Sequence, residues 1–237
     1  MSDPFTLVDV ASLDDLRVFL GRAARVEDGS VRLIAGSGVL AAYAAVLYPA
    51  GLLDETPTVL ALRTFATAVD ADGAHAEFDV VVPIASLASR LERARDGIGQ
   101  LVSDVDPAAR QSVRISLPMA VASATWAAIS PPRGGWHALP AIEAPLLEHA
   151  ARAGIDEIAG AVPEAAGEQI VRRVRTEVWG RPVPGLDHIP AGAAFAALSM
   201  GFLGEDPVRV LETGPWTRLT TTRGHVLVRR RAWTLAR

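Results

Sequence analysis

The sequence predicts an α+β protein, with an N-terminal antiparallel β-meander and packed helices, then a helical region that ends in a β-hairpin. Two observations support this prediction. Strand-like segments lie between about residues 30 and 83, with helical periodicity before and after them. Near the C-terminus, two further strand-like segments flank a short turn at residues 222–224.

The first helix is predicted over about residues 12–26. Ser12 is a favourable N-cap, and Asp14 and Asp15 follow it at the positive end of the helix dipole. The apolar residues share one face at helical spacing and should form its buried stripe: Leu13, Leu16, Phe19, Leu20 and Ala23.

Four strands should follow, at about residues 31–35, 39–48, 58–69 and 75–82. Gly36-Ser37-Gly38 supplies the first turn, since glycine adopts positive φ at little cost. Residues 70–73 supply a second turn, so we expect the four strands to pair in chain order as a meander. The alanine-rich stretch at residues 41–45 is also compatible with a helix.

Helices dominate the predictions for the rest of the chain, at about residues 84–95, 141–153, 163–179 and 191–203. Gly97 and Gly99 should end the first of them, and a strand is expected at about 112–117. The hairpin is predicted at residues 216–230. Because no polar or Gly/Ser-rich linker is visible, we expect two closely packed parts, residues 1–105 and 106–237.

Composition excludes several chemistries. The sequence contains no lysine, asparagine or cysteine. A Schiff-base lysine, a phosphate-loop lysine, a thiolate nucleophile and a sulfur-based zinc site are therefore excluded from these residues. Arginine in place of lysine, together with abundant alanine, is typical of GC-rich coding, as in actinobacteria, so we expect a bacterial source.

Charge and hydropathy predict a water-soluble protein, and the absence of cysteine fits a reducing cytoplasm, where we expect it. The net charge of −4 provides no overall field that would attract nucleic acid or an anionic membrane. Two uncharged runs are long, at residues 33–53 and 115–132, but glycine and proline interrupt them. We expect both runs to be buried parts of a core and predict no contact with a membrane.

No cofactor or metal is predicted. The five histidines include no pair at the i, i+4 spacing that would place two on one helical face. Gly36-Ser37-Gly38 lacks the third glycine and the following helix of a dinucleotide-binding turn.

A serine hydrolase is one alternative function. Residues 197–201 resemble the nucleophile elbow of α/β-hydrolases, with Ser199 as the nucleophile and Asp206 and His225 as its only orderly partners. That elbow needs a buried strand before it, whereas the preceding residues favour a helix. We therefore interpret Ser199 as a structural residue and favour a protein without catalytic activity.

Nucleic-acid binding is a second alternative. The C-terminal hairpin carries a group of arginines, Arg218, Arg223, Arg229, Arg230 and Arg231. Helices followed by a basic hairpin resemble the order of a winged helix. Acidic residues lie close by in the sequence, and no basic recognition helix precedes the hairpin, so we expect nucleic acid not to be the partner.

Two loops carry the leading hypothesis, at residues 130–137 and 179–188. Each combines tryptophan, arginine and histidine with glycine and proline, and tryptophan and arginine are common hot spots of binding. The candidate binding residues are Arg133, Trp136, His137, Trp179, Arg181 and His188. We hypothesise a non-catalytic, regulatory homodimer that recognises a small molecule or a protein through these loops. The competing interpretation is that the tryptophans hold the loops on the core.

Overall fold

The computed structural model describes residues 4–27, 29–51, 54–70, 73–101, 111–121, 124–163 and 167–230. The chain forms two compact units, one of Met1–Ala44 and Arg63–Ala128 and one of Ala45–Leu62 and Ile129–Arg237. Helices and antiparallel strands occur in both units, so the α+β fold class is confirmed. The boundary between residues 105 and 106 stays a prediction.

In chain order, the first elements are β1 (Pro4–Leu7), α1 (Val10–Val26), β2 (Ser30–Gly36), β3 (Val39–Leu47), β4 (Thr58–Ala66), β5 (Phe78–Pro83), α2 (Ile84–Leu101), β6 (Val113–Ser116) and a 3-10 turn at Thr125–Ala128. Strands β3 and β4 each contribute residues to both units. The short strands β1 and β6 form an antiparallel pair, and only β6 was expected from the sequence.

The fourth strand of the predicted meander does not pair with the third, because β5 lies beside β2 instead of β4. Strand β2 pairs with β3 on one side and with β5 on the other, so Leu33 lies opposite both Ala42 and Val80. The chain leaves β4 without forming a hairpin, because the backbone N–H groups of Thr67 and Ala68 donate to Gly38 and to Thr6. Residues 71 and 72 of the second expected turn lie outside the described residues.

The alanine-rich stretch is strand, which resolves the ambiguity at residues 41–45. Ala42 and Ala44 are buried in β3 and pair with β2. The turn between these strands is as expected, with φ of 51° at Ser37 and 79° at Gly38.

The first helix is confirmed, but its cap is not Ser12. Asp9 is the N-cap, and its carboxylate accepts a hydrogen bond from the Ser12 backbone N–H at 2.8 Å. The whole predicted stripe is buried. Helix α2 continues past Gly97 and Gly99 to Leu101, because Ile98 keeps it packed on its inner side.

The remaining elements are β7 (His137–Ile142), α3 (Ala144–Ala161), α4 (Glu168–Gly180), β8 (Pro182–Val183), β9 (Leu186–Pro190), α5 (Ala191–Ser199), β10 (Val208–Thr213), β11 (Trp216–Thr221) and β12 (Gly224–Arg229). The three predicted helices exist with shifted ends: residues 141 and 142 belong to β7, and α4 begins at Glu168 instead of 163. The hairpin β11–β12 is confirmed.

That hairpin belongs to a wider sheet of the second unit, whose strands follow the order β4-β12-β11-β10-β7. Helix α5 packs on β12 and also contacts α3 and α4. The sheet is larger than predicted because β7 and β10 were not expected from the sequence. In β10 the alternation of Val208, Arg209 and Val210 extends over only three residues. Among the described residues, no helix combines the length and the apolar character that crossing a membrane requires.

A candidate binding groove beside helix α3

A groove of about 290 Å³ lies in the second unit between α3 and the β8–β9 hairpin. Small and aliphatic residues make up most of its lining, and we call them its floor: Ala150, Ala153, Gly154, Val178, Val183 and Ala191. Leu146, His149, Glu157 and Arg181 are among the residues at its rim. We call this feature the α3 groove.

Helix α3 forms one wall because its groove-lining residues share a face. Leu146, Ala150, Ala153 and Glu157 recur at spacings of three and four, which places them on one side of an α-helix. Alanine and glycine occupy the middle of this face, so the helix leaves space there that larger side chains would fill. Leu146 remains 41% exposed at one end of this face.

The opposite wall is a short, constrained hairpin. Helix α4 ends at Gly180, where Arg181 turns to an extended conformation and accepts a hydrogen bond from the Ala191 backbone N–H at 2.7 Å. Gly185 has a φ of 80°, which glycine adopts readily, so the chain can reverse between β8 and β9. Proline at 182 and 184 fixes φ on both sides of Val183, which is buried and belongs to the floor.

Trp179 supports the floor from beneath. It is 2% exposed, and its ring stacks on Phe195 with centroids 4.3 Å apart and an interplanar angle of 17°. The ring lies directly against the backbone of Gly154. A side chain so enclosed packs within the unit, which is the role that the competing interpretation assigned to this tryptophan.

Arg181 lies at the rim in a bidentate ion pair. Its guanidinium donates to both carboxylate oxygens of Glu157, at 3.0 and 2.7 Å, and lies 3.5 Å from Glu177. These bonds, that to Glu157 foremost, raise the pKa of Arg181 above its ordinary value. The pair therefore joins the exposed side of α3 to the start of β8 and restricts the width of the groove.

The loop of Trp136 lies in a different environment. The Trp136 Nε1–H donates to the Pro132 carbonyl at 3.1 Å, and the Arg218 guanidinium lies 5.8 Å from the ring centroid. His137 begins β7 opposite Glu212, and Arg133 is exposed. The contacts that the described residues show for Trp136 and for Trp179 have no residue in common.

Of the six residues predicted from the sequence, only Arg181 lines the α3 groove. His188 lies in β9, half-buried, and is not part of the lining. The residues that sequence reasoning missed are those of α3, including Leu146 and Ala153. A signal was present, because Ala150, Ala153 and Gly154 follow Leu146 at helical spacing and predict a helix face without bulky side chains.

Ser199 does not occupy a nucleophile elbow. It is the last residue of α5, and the residues before it are helical, whereas the elbow needs a strand in that place. In the part of the chain that the structure describes, no three histidine, aspartate or glutamate side chains are grouped so that they could hold a metal ion.

The C-terminal hairpin uses several of its arginines for internal bonds. Arg223 donates to the Leu203 carbonyl at 3.0 Å, and Arg230 pairs with Glu212 at 3.0 Å. Arg231 lies outside the described residues.

His225 on β12 is half-buried. Burial lowers its pKa to about 4, with a smaller effect from the positive Arg218, so this histidine is neutral at neutral pH.

Comparison with solved structures finds bacterial DNA polymerase sliding clamps. A clamp from Caulobacter crescentus is 13% identical, with a TM-score of 0.46, and the match covers 99% of this chain and 67% of that one. A Pseudomonas aeruginosa polymerase III β subunit is 13% identical over 98% and 66% of the two chains, with a TM-score of 0.45. At such TM-scores and identities, the likeness supports no conclusion about what this chain binds.

Sequence comparison gives two family matches. Residues 1–111 match a domain of unknown function, DUF8010, and residues 131–233 match another, DUF8185. No curated protein matches the sequence. Each family match covers less than half of the 237 residues, and neither description assigns a function.

Proposed function

We propose that this chain is a non-catalytic protein-binding protein, whose α3 groove holds a short segment of a partner protein that presents one or two aliphatic side chains. The single observation that carries the proposal is an open groove with an apolar floor, next to a half-exposed leucine. The proposal narrows the binding hypothesis from two loops to one. The loop of Trp136 is left out because that tryptophan contacts Pro132 and Arg218, which do not line the α3 groove.

The openness of the groove, more than its size, favours a peptide side chain over an enclosed small molecule. Sites for small ligands commonly enclose about 300–1,000 Å³ and bury most of the ligand. The α3 groove has about 290 Å³ and is open along the helix. Space of that size suits one or two aliphatic side chains, while the rest of the partner segment stays on the rim.

The energetic contribution of such an anchor follows from its burial. Full burial of a leucine or isoleucine side chain contributes about 1.5–3 kcal/mol. Leu146 also contributes favourable free energy of burial, because a bound segment covers its exposed surface. Polar contacts at the rim would then select among partners, with His149 and the Arg181–Glu157 pair nearest to the floor.

The test selects peptides from a random phage-displayed library on the full chain. Two variants, in each of which one alanine is replaced by arginine, then test where the peptides bind. Ala153 is exposed and lines the groove, so Ala153→Arg fills it. Ala159→Arg is the matched control, because Ala159 is exposed on the same helix and is not part of the lining. Peptides selected on the unmodified chain should contain an aliphatic anchor.

Synthetic versions of those peptides should bind the unmodified chain and Ala159→Arg with equal affinity and Ala153→Arg at least tenfold more weakly. Equal binding to all three proteins, or no enriched peptide at all, would overturn the proposal. The predicted homodimer is measured in parallel by sedimentation. If Ala153→Arg alone dissociates a dimer, the occupant is a second copy of this chain and the partner-protein proposal is wrong.

A further inference from the structure

Ser116, the last residue of β6, lies at the surface of the first unit beside helix α2. Its hydroxyl oxygen accepts a hydrogen bond of 2.7 Å from the Arg90 guanidinium of that helix. Burial alternates along β6, so Arg114 and Ser116 share its exposed face, while Val113 and Ile115 are buried. An exposed hydroxyl therefore lies beside two arginines that come from different elements.

Arg114 is close enough to contact a group attached to Ser116. Alternate residues of a strand lie about 7 Å apart and point to the same side of it. The long side chain of arginine spans that separation. A phosphoryl group on Ser116 Oγ would thus have the Arg114 guanidinium within reach, while Arg90 already contacts the oxygen to which the phosphorus would be bonded.

Arg90 is not neutralised by a carboxylate in the part of the chain that the structure describes. The one hydrogen bond of its side chain there is the bond to Ser116, and it forms no ion pair. On α2, the positions three and four residues away from it hold Ser86, Leu87, Arg93 and Ala94. None of these is acidic, so the positive charge of Arg90 faces the hydroxyl uncompensated by its own helix.

Arg114 likewise forms no ion pair with the other described residues. One carboxylate lies on the same side of the β1–β6 pair, because Thr6 is opposite Arg114 and its hydroxyl donates to Asp70 at 2.8 Å. Ser116 is opposite Pro4, two positions away from Thr6 along the pair. The register therefore separates Asp70 from the hydroxyl that the two arginines flank.

We propose that Ser116 is a phosphorylation site, whose phosphoryl group binds Arg90 and Arg114 and ties helix α2 to β6. A serine/threonine protein kinase transfers the γ-phosphoryl group of ATP to Oγ. The bond between Oγ and phosphorus forms, and the bond between that phosphorus and the bridging oxygen breaks, so ADP leaves. The hydroxyl proton passes to a carboxylate of the kinase. Among the described strands β6 pairs with β1 alone, which leaves its other edge open to the enzyme.

Phosphorylation replaces one neutral acceptor by a charged group. A phosphoserine carries about −1.5 to −2 charges near pH 7 and has three strong acceptor oxygens. The guanidinium group donates in a planar fork that matches those oxygens. The modified side chain can therefore bond to α2 and β6 at the same time, which stabilises their packing. This site lies in the first unit and does not depend on the proposed function of the α3 groove.

The first test compares full chains in which phosphoserine is incorporated during translation at position 116 or at position 112. Ser112 is the matched control, because it is also exposed and also two residues from Arg114, but it is not bonded to Arg90. Phosphate at position 116 should raise the Tm by about 2–4 °C over the unmodified chain, and phosphate at position 112 by less than about 1 °C. In ³¹P NMR, the phosphate at position 116 should titrate at a pH at least about 0.5 lower, because Arg90 favours the dianion.

Arginine variants then identify the groups that hold the phosphate. Arg90→Gln should remove at least about half of the Tm increase and of the ³¹P difference at position 116 and leave position 112 unchanged. Arg93→Gln is the control for charge, since Arg93 is exposed one turn further along α2 and does not bond to Ser116. It should change both quantities by less than about a fifth.

The second test measures whether a kinase accepts this serine. The full chain is incubated with magnesium ATP and a serine/threonine kinase that selects arginine before the acceptor, and the phosphopeptides are identified by mass spectrometry. We expect phosphate on Ser116, at least tenfold lower incorporation in Ser116→Ala and Arg114→Gln, and unchanged incorporation in Ser112→Ala.

Three results would overturn the proposal. The first is equal Tm and equal ³¹P titration for phosphate at the two positions, or no effect of Arg90→Gln. The second is the absence of kinase-transferred phosphate on Ser116. The third is binding of free inorganic phosphate to the unmodified chain with the same sensitivity to Arg90→Gln, which would identify a site for the free ion instead.

Discussion

The Trp179 ring occupies the space where Gly154 has no side chain. A Cβ built at Gly154 would lie 2.3 Å from Trp179 Cζ3 and 2.7 Å from Cη2, far inside van der Waals contact. Helix α3 and the end of α4 can therefore approach closely at this point. Both residues adjoin the α3 groove, Gly154 in its floor and Trp179 beneath it.

Gly154→Ala should destabilise the protein by about 1–3 kcal/mol, the usual cost of overpacking a well-filled interior. The ring cannot turn away without losing its stack on Phe195. Urea denaturation measures the change in the free energy of unfolding. Gly160→Ala on the same helix is the control, since a Cβ there would meet nothing within 4 Å. A Gly154→Ala protein as stable as this control contradicts the close packing described.

How far the sequence predicts the structure depends on the range of the interactions. Helix α1 could be predicted because five apolar residues recur at helical spacing, and the turn at Gly38 because glycine adopts positive φ there. The position of β5 beside β2 could not be predicted. Val81 pairs with Arg32, 49 residues earlier, and pairing at such a distance depends on how the chain between the two strands folds.

The candidate site shows the same limit. Arg181 was identified from the composition of its loop, and it does line the α3 groove. The tryptophans were chosen as binding anchors by residue type, yet Trp179 is enclosed and Trp136 bonds within its own loop. Residue type cannot distinguish an exposed aromatic from a packed one; that depends on partners such as Gly154, which is distant in sequence.

Gly224→Ala should also destabilise the protein, by about 1–3 kcal/mol. A Cβ at Gly224 would lie 2.6 Å from both Cε1 and Cζ of Phe202, whose ring is 1% exposed. Combining it with Phe202→Leu tests the cause, since a smaller side chain makes room for the new methyl group. The two substitutions together should cost less than the sum of their separate costs in thermal or urea unfolding, and simple additivity would contradict direct contact.

Gly21→Ala should stabilise the protein by about 0.5–1 kcal/mol, because alanine is the better helix former and the new Cβ meets no neighbour. Thermal unfolding followed by circular dichroism measures the effect. If the substitution destabilises the protein, the glycine has a packing role, which contradicts the open space found around it.

Stability should fall between pH 6.5 and pH 4 because of His225. Burial lowers the pKa of this histidine from 6.5 to about 4, so the folded protein binds fewer protons than the unfolded chain in that range. The contribution of neutral His225 is complete above pH 6.5 and is lost as the pH falls toward 4. Because the side chain keeps some contact with solvent, we expect a loss of about 1–2 kcal/mol, below that of full burial.

His225→Gln removes this proton uptake and should flatten the fall in the free energy of unfolding between pH 6.5 and 4. His149→Gln is the control, since it removes a histidine from an exposed position. Arg218 contributes to the low pKa of His225, so Arg218→Gln should move the NMR titration of that ring to higher pH. A His225 ring that titrates near 6.5 in the unmodified protein would show that the ring is solvated and that this pH dependence has another origin.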